Sequence, residues 1–390
     1  MALNRIRRAS LEDMAAFIDQ READVLEVLA NEIPERQQFD ALNSAIEELN
    51  CIRDQIATDG ICRSTAMSLE AIRPETIPRG FTVESYTQHH SRVGLAATME
   101  AVDGLTIGLV VAAIAAAVAI MVKLTQWVIK KWKARKDDKY IGGADKLESL
   151  EQDGAKVTTG DSEASERLNK FWNKAVQQAL EPNHRSVFYC LMQGFKRQYF
   201  RKAIDGISAK IDILEKSAGG WSSMFGRGRD NAEMAQAAID NATDNVAINE
   251  LGRAMNWLGT GSSKDFDVTV AEIYKQFNED IAVNDGAPSE DWSKNVTVAN
   301  NVLKNSLKEK EGIMIDLEHL EKKLEALQKK LAANKESKDE AKVEINKAVH
   351  DATNVLKRQM QAITTLCAMH MRYNGMMEGL TYARIGLLEG

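Results

Sequence analysis

The feature that most constrains this chain is a run of nineteen residues without a charge, from Gly104 to Val122, reading GLTIGLVVAAIAAAVAIMV. Asp103 precedes the run and Lys123 follows it. At about 1.5 Å per residue a helix of this length extends roughly 28 Å, close to the ~30 Å hydrocarbon thickness of a bilayer. Length therefore favours a membrane-spanning or membrane-inserting helix. Because the run is rich in alanine, which is only weakly apolar, the alternative is a helix buried in a soluble bundle.

Tryptophans and cations cluster directly after the apolar run. Aromatic and basic side chains of this kind occupy the headgroup region of a bilayer. The predicted membrane-interface residues are Lys123, Trp127, Lys130, Lys131, Trp132, Lys133, Arg135 and Lys136. The same cations could contact the phosphates of a nucleic acid. Their position beside the apolar run favours a membrane surface as the partner.

The composition favours an all-α fold. The chain has 5 prolines in 390 residues and 27 % charged residues, beside many Ala, Glu, Lys and Leu, which is typical of long helices. We expect an extended helical bundle with a long C-terminal coiled-coil hairpin and one apolar helix. The cysteines lack the spacing of a zinc site or a disulfide framework. They are Cys51, Cys62, Cys190 and Cys367.

Changes in charge, together with stretches that contain proline or glycine, divide the chain into six predicted segments. Residues 1–70 hold fourteen acids against seven arginines, and their apolar residues recur at helical spacing in two stretches, which predicts an acidic helical hairpin. Stretches with proline or glycine and no sustained helical period are predicted linkers. The segments are the hairpin 1–71, a linker 72–103, the apolar helix with its basic extension 104–140, a linker 141–164, a helical domain 165–288, and the coiled-coil hairpin with a C-terminal helix 289–390.

The clearest periodicity lies near the C-terminus. Isoleucine and leucine recur there at alternating spacings of four and three residues among Glu and Lys, which predicts a heptad seam. The seam residues are Ile313, Leu317, Leu320, Leu324, Leu327 and Leu331. The polar stretch Asn334 to Asp339 follows, so we expect the next helix to fold back as the second strand of an antiparallel coiled coil. An intermolecular coiled coil, with a second copy or another protein, is the alternative.

The sequence carries no catalytic pattern. It contains no GxSxG, HExxH, Walker or dinucleotide-binding motif, and its 6 histidines are dispersed. We therefore expect a protein that is not an enzyme, has no small-molecule substrate, and binds no cofactor or metal.

The tripeptide Ser-Leu-Glu occurs three times, at residues 10–12, 68–70 and 149–151. The second copy is followed by Ala71, at the end of the acidic segment. Mainly over residues 60–140, this arrangement resembles the internal head proteins of jumbo tailed bacteriophages. In that family a prohead protease cuts after Glu in a Ser/Ala/Gly-X-Glu motif and removes an N-terminal propeptide. The resemblance implies a cleavage site formed by Ser68, Leu69, Glu70 and Ala71.

The resemblance also implies a function. The chain would be a virion structural protein, made in the host cytoplasm, packaged inside the phage head with other virion proteins, and ejected to act at the host membrane. Two other classes fit the apolar helix. One is a helical membrane-active protein, such as a pore-forming toxin or a secretion translocator, and the other is a resident single-pass membrane protein. Nucleic acid is a secondary candidate partner, through the basic stretch.

Overall fold

A computed structural model describes residues 34–59, 92–156, 171–181, 187–218, 266–284, 292–333 and 341–389, with a few isolated positions between them. No strand occurs among these residues and nearly all are helical, which confirms the predicted all-α fold. Three predicted features lie outside the described residues. They are the first helix of the acidic hairpin, the cleavage site at 68–71 and the polar break at 334–339.

The described helices vary widely in length. In chain order they are α1 (Pro34–Asp59), α2 (Arg92–Ala134), α3 (Asp137–Gln152), α4 (Lys174–Leu180), α5 (Val187–Gly194), α6 (Arg197–Ala218), α7 (Phe266–Ala282), α8 (Trp292–Ala333) and α9 (Ala341–Glu389). Three of them, α2, α8 and α9, exceed 40 residues. These three form the frame against which the shorter helices pack.

Helices α2 and α3 run antiparallel to α8. Near the end of the apolar helix, Gln126 Nε2 donates to Glu325 Oε1 at 3.3 Å. Further along, on α3, Asp145 Oδ1 accepts from Lys304 Nζ at 2.7 Å. Residue numbers therefore rise along α2 and α3 while they fall along α8.

Helix α9 runs parallel to α2 and α3 on another side. Arg135 Nη1 donates to the carbonyl of Met371 at 2.9 Å, and Tyr382 OH donates to the carbonyl of Lys139 at 2.8 Å. Helix α2 therefore packs against both α8 and α9, and it is the shared neighbour of the two longest C-terminal helices.

The heptad seam of α8 is buried at all six positions, but the predicted coiled-coil hairpin with α9 is corrected. The seam half of α8 runs beside α6, where Arg197 and Glu215 pair with Asp316 and Lys330 at 2.8 and 2.5 Å. Helix α8 packs mainly on α6 and α2, and its direct contact with α9 is small. The physical reason is that α2 is apolar on all sides and takes up the apolar surface that a two-helix coiled coil would use.

The predicted linker over residues 72–103 is wrong from Arg92 onward, because α2 begins there. The stretch from Leu95 to Ala101 consists of Leu, Ala, Thr, Met and Glu, most of which are good helix formers. Extending a helix that the apolar run has already nucleated is favourable for such residues. Residues 72–91 lie outside the described part of the chain.

The predicted linker over residues 141–164 is wrong in its first part, which belongs to α3. Tyr140, Ala144 and Leu147 form one buried face of this helix, so tertiary packing overrides the low helix propensity of two adjacent glycines. Gly143 has a packing role, since a Cβ there would lie 2.9 Å from Cζ of Tyr382.

One hydrophobic cluster contains residues of every described helix. The described parts of the predicted segments 104–140, 165–288 and 289–390 therefore share a core. That core is centred on α2, α8 and α9.

Gly379 tests the packing of α9 against the segment that carries Phe171. A Cβ on Gly379 would lie 2.7 Å from two ring atoms of Phe171, so Gly379→Ala should lower the free energy of unfolding by about 1–3 kcal/mol. Gly142→Ala is the matched control, because Gly142 is also helical and a Cβ there meets nothing within 4 Å. That change should stabilise by about 0.5–1 kcal/mol. Urea denaturation followed by circular dichroism measures both, and equal effects would contradict this packing.

Candidate functional site

Helix α2 is buried over most of its surface along the apolar run, with Gly108 exposed and Val111, Ala112, Ala115 and Ala119 partly buried along one side. Its buried side chains include Leu109, Val110, Ala113, Ile114, Ala116, Ala117, Val118, Ile120, Met121, Val122 and Leu124. A helix that is apolar all round is stable in water only when other elements enclose it. Helices α1, α8 and α9 cover most of this one.

The same helix has the length and composition of a membrane span. Among the described residues, Gly108–Ala134 meets both criteria, with a mean hydropathy of 2.3. In this fold 67 % of its apolar window is buried inside the protein. The two interpretations of the run, a membrane span and a buried helix, are therefore compatible. The helix has the length and composition of a membrane span, and in this fold it is a core helix.

Helix α1 lies along the apolar run. His350 Nε2 is 2.8 Å from Asn43 Oδ1, and Lys357 Nζ is 3.5 Å from the centroid of the Phe39 ring, so α1 runs antiparallel to the first half of α9. Since α9 is parallel to α2 and places Met371 beside Arg135, an equal rise per residue sets residues 350–357 level with about residues 114–121 of α2. Helix α1 therefore covers the middle of the apolar run.

Helix α1 is amphipathic. The side chains on its inner face are at most 6 % exposed, and they are Phe39, Ile46, Leu49 and Ile52. Its outer face carries exposed acids, namely Asp40, Glu47, Glu48 and Asp54. With α1 in place, an apolar surface on α2 is replaced by an acidic one.

The structure divides the eight predicted membrane-interface residues into three groups. Four lysines on α2 and just after it are exposed, namely Lys123, Lys130, Lys133 and Lys136. Trp127 and Lys131 are half-buried. Trp132 is 1 % exposed, and the Arg135 side chain is 7 % exposed. The prediction of one interfacial surface is therefore wrong for Trp132 and Arg135 in this fold, because both side chains lie inside the bundle.

Arg135 belongs to a buried ionic cluster at the break between α2 and α3. Its Nη2 donates to Glu378 Oε2 at 3.1 Å, and its Nε lies 3.3 Å from Asp137 Oδ1. Lys310 of α8 pairs with the other oxygen of Asp137. Asp137 opens α3, where a carboxylate complements the positive end of the helix. Two cations and two carboxylates thus join α2, α3, α8 and α9 at one point.

His370 lies beside this cluster in the core. Its Nε2 is 2.9 Å from Ser306 Oγ, and its ring stacks on Phe195 at a centroid distance of 3.9 Å. Burial lowers the pKa of His370 well below its usual range, and the nearby charges of Arg135 and Lys310 act in the same direction. The imidazole is therefore neutral. Both Ser306 and His370 are buried, so their contact is a core hydrogen bond, although Ser and His can elsewhere form a nucleophile and its base.

Glu378 is one of the two carboxylates of the cluster, and its side chain is largely buried. Burial raises the pKa of Glu378, and the positive charges of Arg135 and Lys139 partly offset this rise. The pairing with Arg135 therefore favours the charged form of Glu378, against the effect of burial.

This cluster was not predicted from the sequence. Arg135 was assigned to the surface cations because it follows four lysines in the chain. A signal was present on α9, where His370, Asn374 and Glu378 are spaced by four residues and share one helix face within an otherwise apolar, methionine-bearing segment. Polar residues on one face of an apolar helix indicate polar partners inside the core.

The third Ser-Leu-Glu copy lies within a helix, and its glutamate accepts a hydrogen bond from another helix. Residues 149–151 lie in the last turn of α3, and Thr297 Oγ1 donates to the Glu151 carboxylate at 2.5 Å. The first copy and the predicted cleavage site around Glu70 lie outside the described residues. In the part of the chain that the structure describes, no group of three or more His, Cys, Asp or Glu could hold a metal ion.

Comparison of the chain with protein-family models, with curated proteins and with solved structures finds no match.

The buried imidazole predicts a pH dependence of stability. Because the pKa of His370 is lowered in the folded chain, its contribution is fully present above the unfolded pKa of about 6.5 and is lost as pH falls from there toward the folded value. The free energy of unfolding should therefore fall between about pH 7 and 5, by up to about 1.4 kcal/mol per pH unit.

His370→Gln should flatten this pH profile, since the amide can keep the Ser306 contact without titrating. Urea denaturation across the range measures the slope. The exposed His319 on α8 gives the matched control, His319→Gln, which should keep the parent profile. An unchanged slope in His370→Gln would contradict a buried, neutral imidazole, and subtracting the two profiles removes the contribution of Glu378.

The ionic cluster predicts a large effect of losing one partner. Arg135→Met leaves Glu378 and Asp137 buried without their shared cation, so we expect the free energy of unfolding to fall by about 3–5 kcal/mol. Lys133→Met, two residues away, removes an exposed pair with Glu318 and should cost less than about 1 kcal/mol. Chemical denaturation compares the two variants, and similar small losses would show that the cluster is not a structural joint.

Proposed function

We propose that the chain is a non-enzymatic virion structural protein of a tailed bacteriophage. It is made in the host cytoplasm, packaged inside the head with other virion proteins, cut after Glu70, and ejected to act at the host membrane through α2. The N-terminal segment serves as a removable cover for that helix.

One observation carries the proposal. Helix α1 covers the apolar run of α2, and it lies before Glu70 in the chain. A single cut after Glu70 therefore disconnects the cover from the helix that it covers. A helix that anchors the protein permanently does not need a cleavage motif between itself and the helix that covers it. The same holds for a helix that stays permanently in the core.

The charge distribution supports a membrane as the target. With α1 in place the covered side carries exposed acids, which anionic lipids repel. The exposed lysines after the apolar run, including Lys130 and Lys136, suit the headgroups of anionic lipids. Loss of α1 would uncover an apolar surface and remove negative charge in the same event.

A second candidate is a helical membrane-active protein, a pore-forming toxin or a secretion translocator. What favours it is the storage of a span-length apolar helix inside a water-stable bundle. This class differs from the first in needing no virion and no cut after Glu70. A resident single-pass protein gains no support, because amphipathic helices with charged outer faces surround α2.

The intact mass of the protein from purified phage particles tests the proposal. We expect a chain that begins at Ala71, because cleavage after Glu70 leaves that residue at the new N-terminus. A chain that begins at Met1 or Ala2 in mature particles would contradict processing, and absence of the protein from particles would favour the second candidate.

Variants sharpen this measurement. Glu70→Gln removes the carboxylate that the protease motif requires, so particles carrying it should contain the uncut chain. Glu151→Gln alters another Ser-Leu-Glu copy, one that lies within α3. It should leave the mass of the processed chain unchanged apart from the substitution itself.

A further inference from the structure

We infer that the groove on α2 beneath α1, bordered on one side by His350 and Lys357 of α9, is a binding site for an amphipathic helix, and that it retains residues 34–59 after the chain is cut. Uncovering α2 then takes two separate events, cleavage and dissociation. The biological setting of this inference rests on the proposed function, whereas the groove itself rests on the contacts of α1.

The apolar contacts of α1 are those of a docked helix. Four inner side chains, Phe39, Ile46, Leu49 and Ile52, project from one side at spacings of seven, three and three residues. Leu49, the most deeply buried of them, is 1 % exposed. Amphipathic helices that bind grooves in other proteins use anchors at this kind of spacing. Cutting the chain elsewhere removes none of these contacts.

Two polar contacts fix the register of α1 on α9. The amide oxygen of Asn43 lies 2.8 Å from His350 Nε2, and the Lys357 ammonium lies over the ring of Phe39. The two contacts are seven residues apart on α9 and four apart on α1, so they fix both position and direction. The side chain of His350 is nearly buried, at 10 % exposed, and its bond to Asn43 is therefore largely shielded from water.

The covalent linker between α1 and α2 contributes to docking only by raising the effective concentration of α1 at the groove. Residues 60–91 join α1 to α2, and an intact linker makes docking intramolecular. After the cut, retention depends on the affinity of the groove alone. The occupant is the chain's own segment 34–59, because its contacts with the groove are those described above. A second copy of that segment or a lipid surface can enter only after it leaves.

The test uses an introduced protease site, so it does not depend on cleavage after Glu70. A site-specific protease sequence replaces residues 68–71 in the full-length chain, the purified protein is cut without denaturant, and size-exclusion chromatography with mass spectrometry follows the two fragments. We expect residues 1–70 to co-elute with the remainder at about 10 µM protein, which requires a dissociation constant below about 1 µM. Separation of the fragments on cutting would overturn the inference.

Matched variants show whether the groove is responsible. Leu49→Asp places a charge in the centre of the apolar face, and we expect the fragment to separate after the cut. Glu48→Ala changes the exposed neighbour and should leave co-elution intact. Asn43→Ala removes the polar contact with His350 and should speed dissociation by about tenfold. Retention of the Leu49→Asp fragment would overturn the inference as surely as loss of the parent fragment.

The uncut Leu49→Asp chain serves as the folding control. Its remaining helices should keep the helical circular dichroism signal, and co-elution is then read only on folded protein. Should residues 1–70 of the Leu49→Asp chain separate while the Glu48→Ala fragment stays, the groove is established regardless of processing in particles. A full-length mass in virions would refute the proposed function without affecting this result.

Discussion

The fold depends on one constraint, which is that a helix without a polar face must be surrounded in water. The apolar run of α2 satisfies this by packing against α1, α8 and α9 together. Burial of each large apolar side chain contributes about 1.5–3 kcal/mol, and the run supplies many of them. The positions of the other helices follow from this demand. The heptad seam of α8 packs against α2 and α6. Helix α9 lies alongside α2 and parallel to it.

Buried polar groups lie at several places in this apolar frame, and the ionic ones gather at the break between α2 and α3. Arg135, Asp137, Lys310 and Glu378 meet there. Buried ion pairs seldom add much net stability, but they penalise arrangements in which a partner is missing. The cluster therefore specifies how α2 docks at its C-terminal end. Over the middle of the apolar run, α2 is covered by the apolar face of α1, a helix that belongs to the N-terminal segment.

Much of the fold could be predicted from the sequence, since length, charge pattern and periodicity act locally. The all-α class, the apolar helix and the buried seam from Ile313 to Leu331 were accessible in this way. The partner of the seam was not, because a heptad pattern specifies a face and leaves open which apolar helix meets it. The linkers at 92–103 and 141–152 were misassigned for two different reasons. In the first, good helix formers extend α2 toward its N-terminus. In the second, the buried face of Tyr140, Ala144 and Leu147 outweighs the local weakness caused by two glycines.

The candidate site could be predicted only in part. The run from Gly104 to Val122 was recognisable, but two of its predicted interface residues, Trp132 and Arg135, lie in the core. A run of cations in the chain does not show which members of a helix face solvent. The packing of α1 against α2 could not be predicted either, because no local pattern in Pro34–Asp59 indicates which helix it packs against.

We propose that α1 controls whether α2 is available to a membrane. Flotation with anionic lipid vesicles measures this directly, comparing the intact chain with a chain cut between α1 and α2 and then freed of residues 1–70. We predict that the intact chain stays in solution and that the freed chain floats with the vesicles. Equal behaviour of the two chains, whether both float or both stay behind, would contradict the claim.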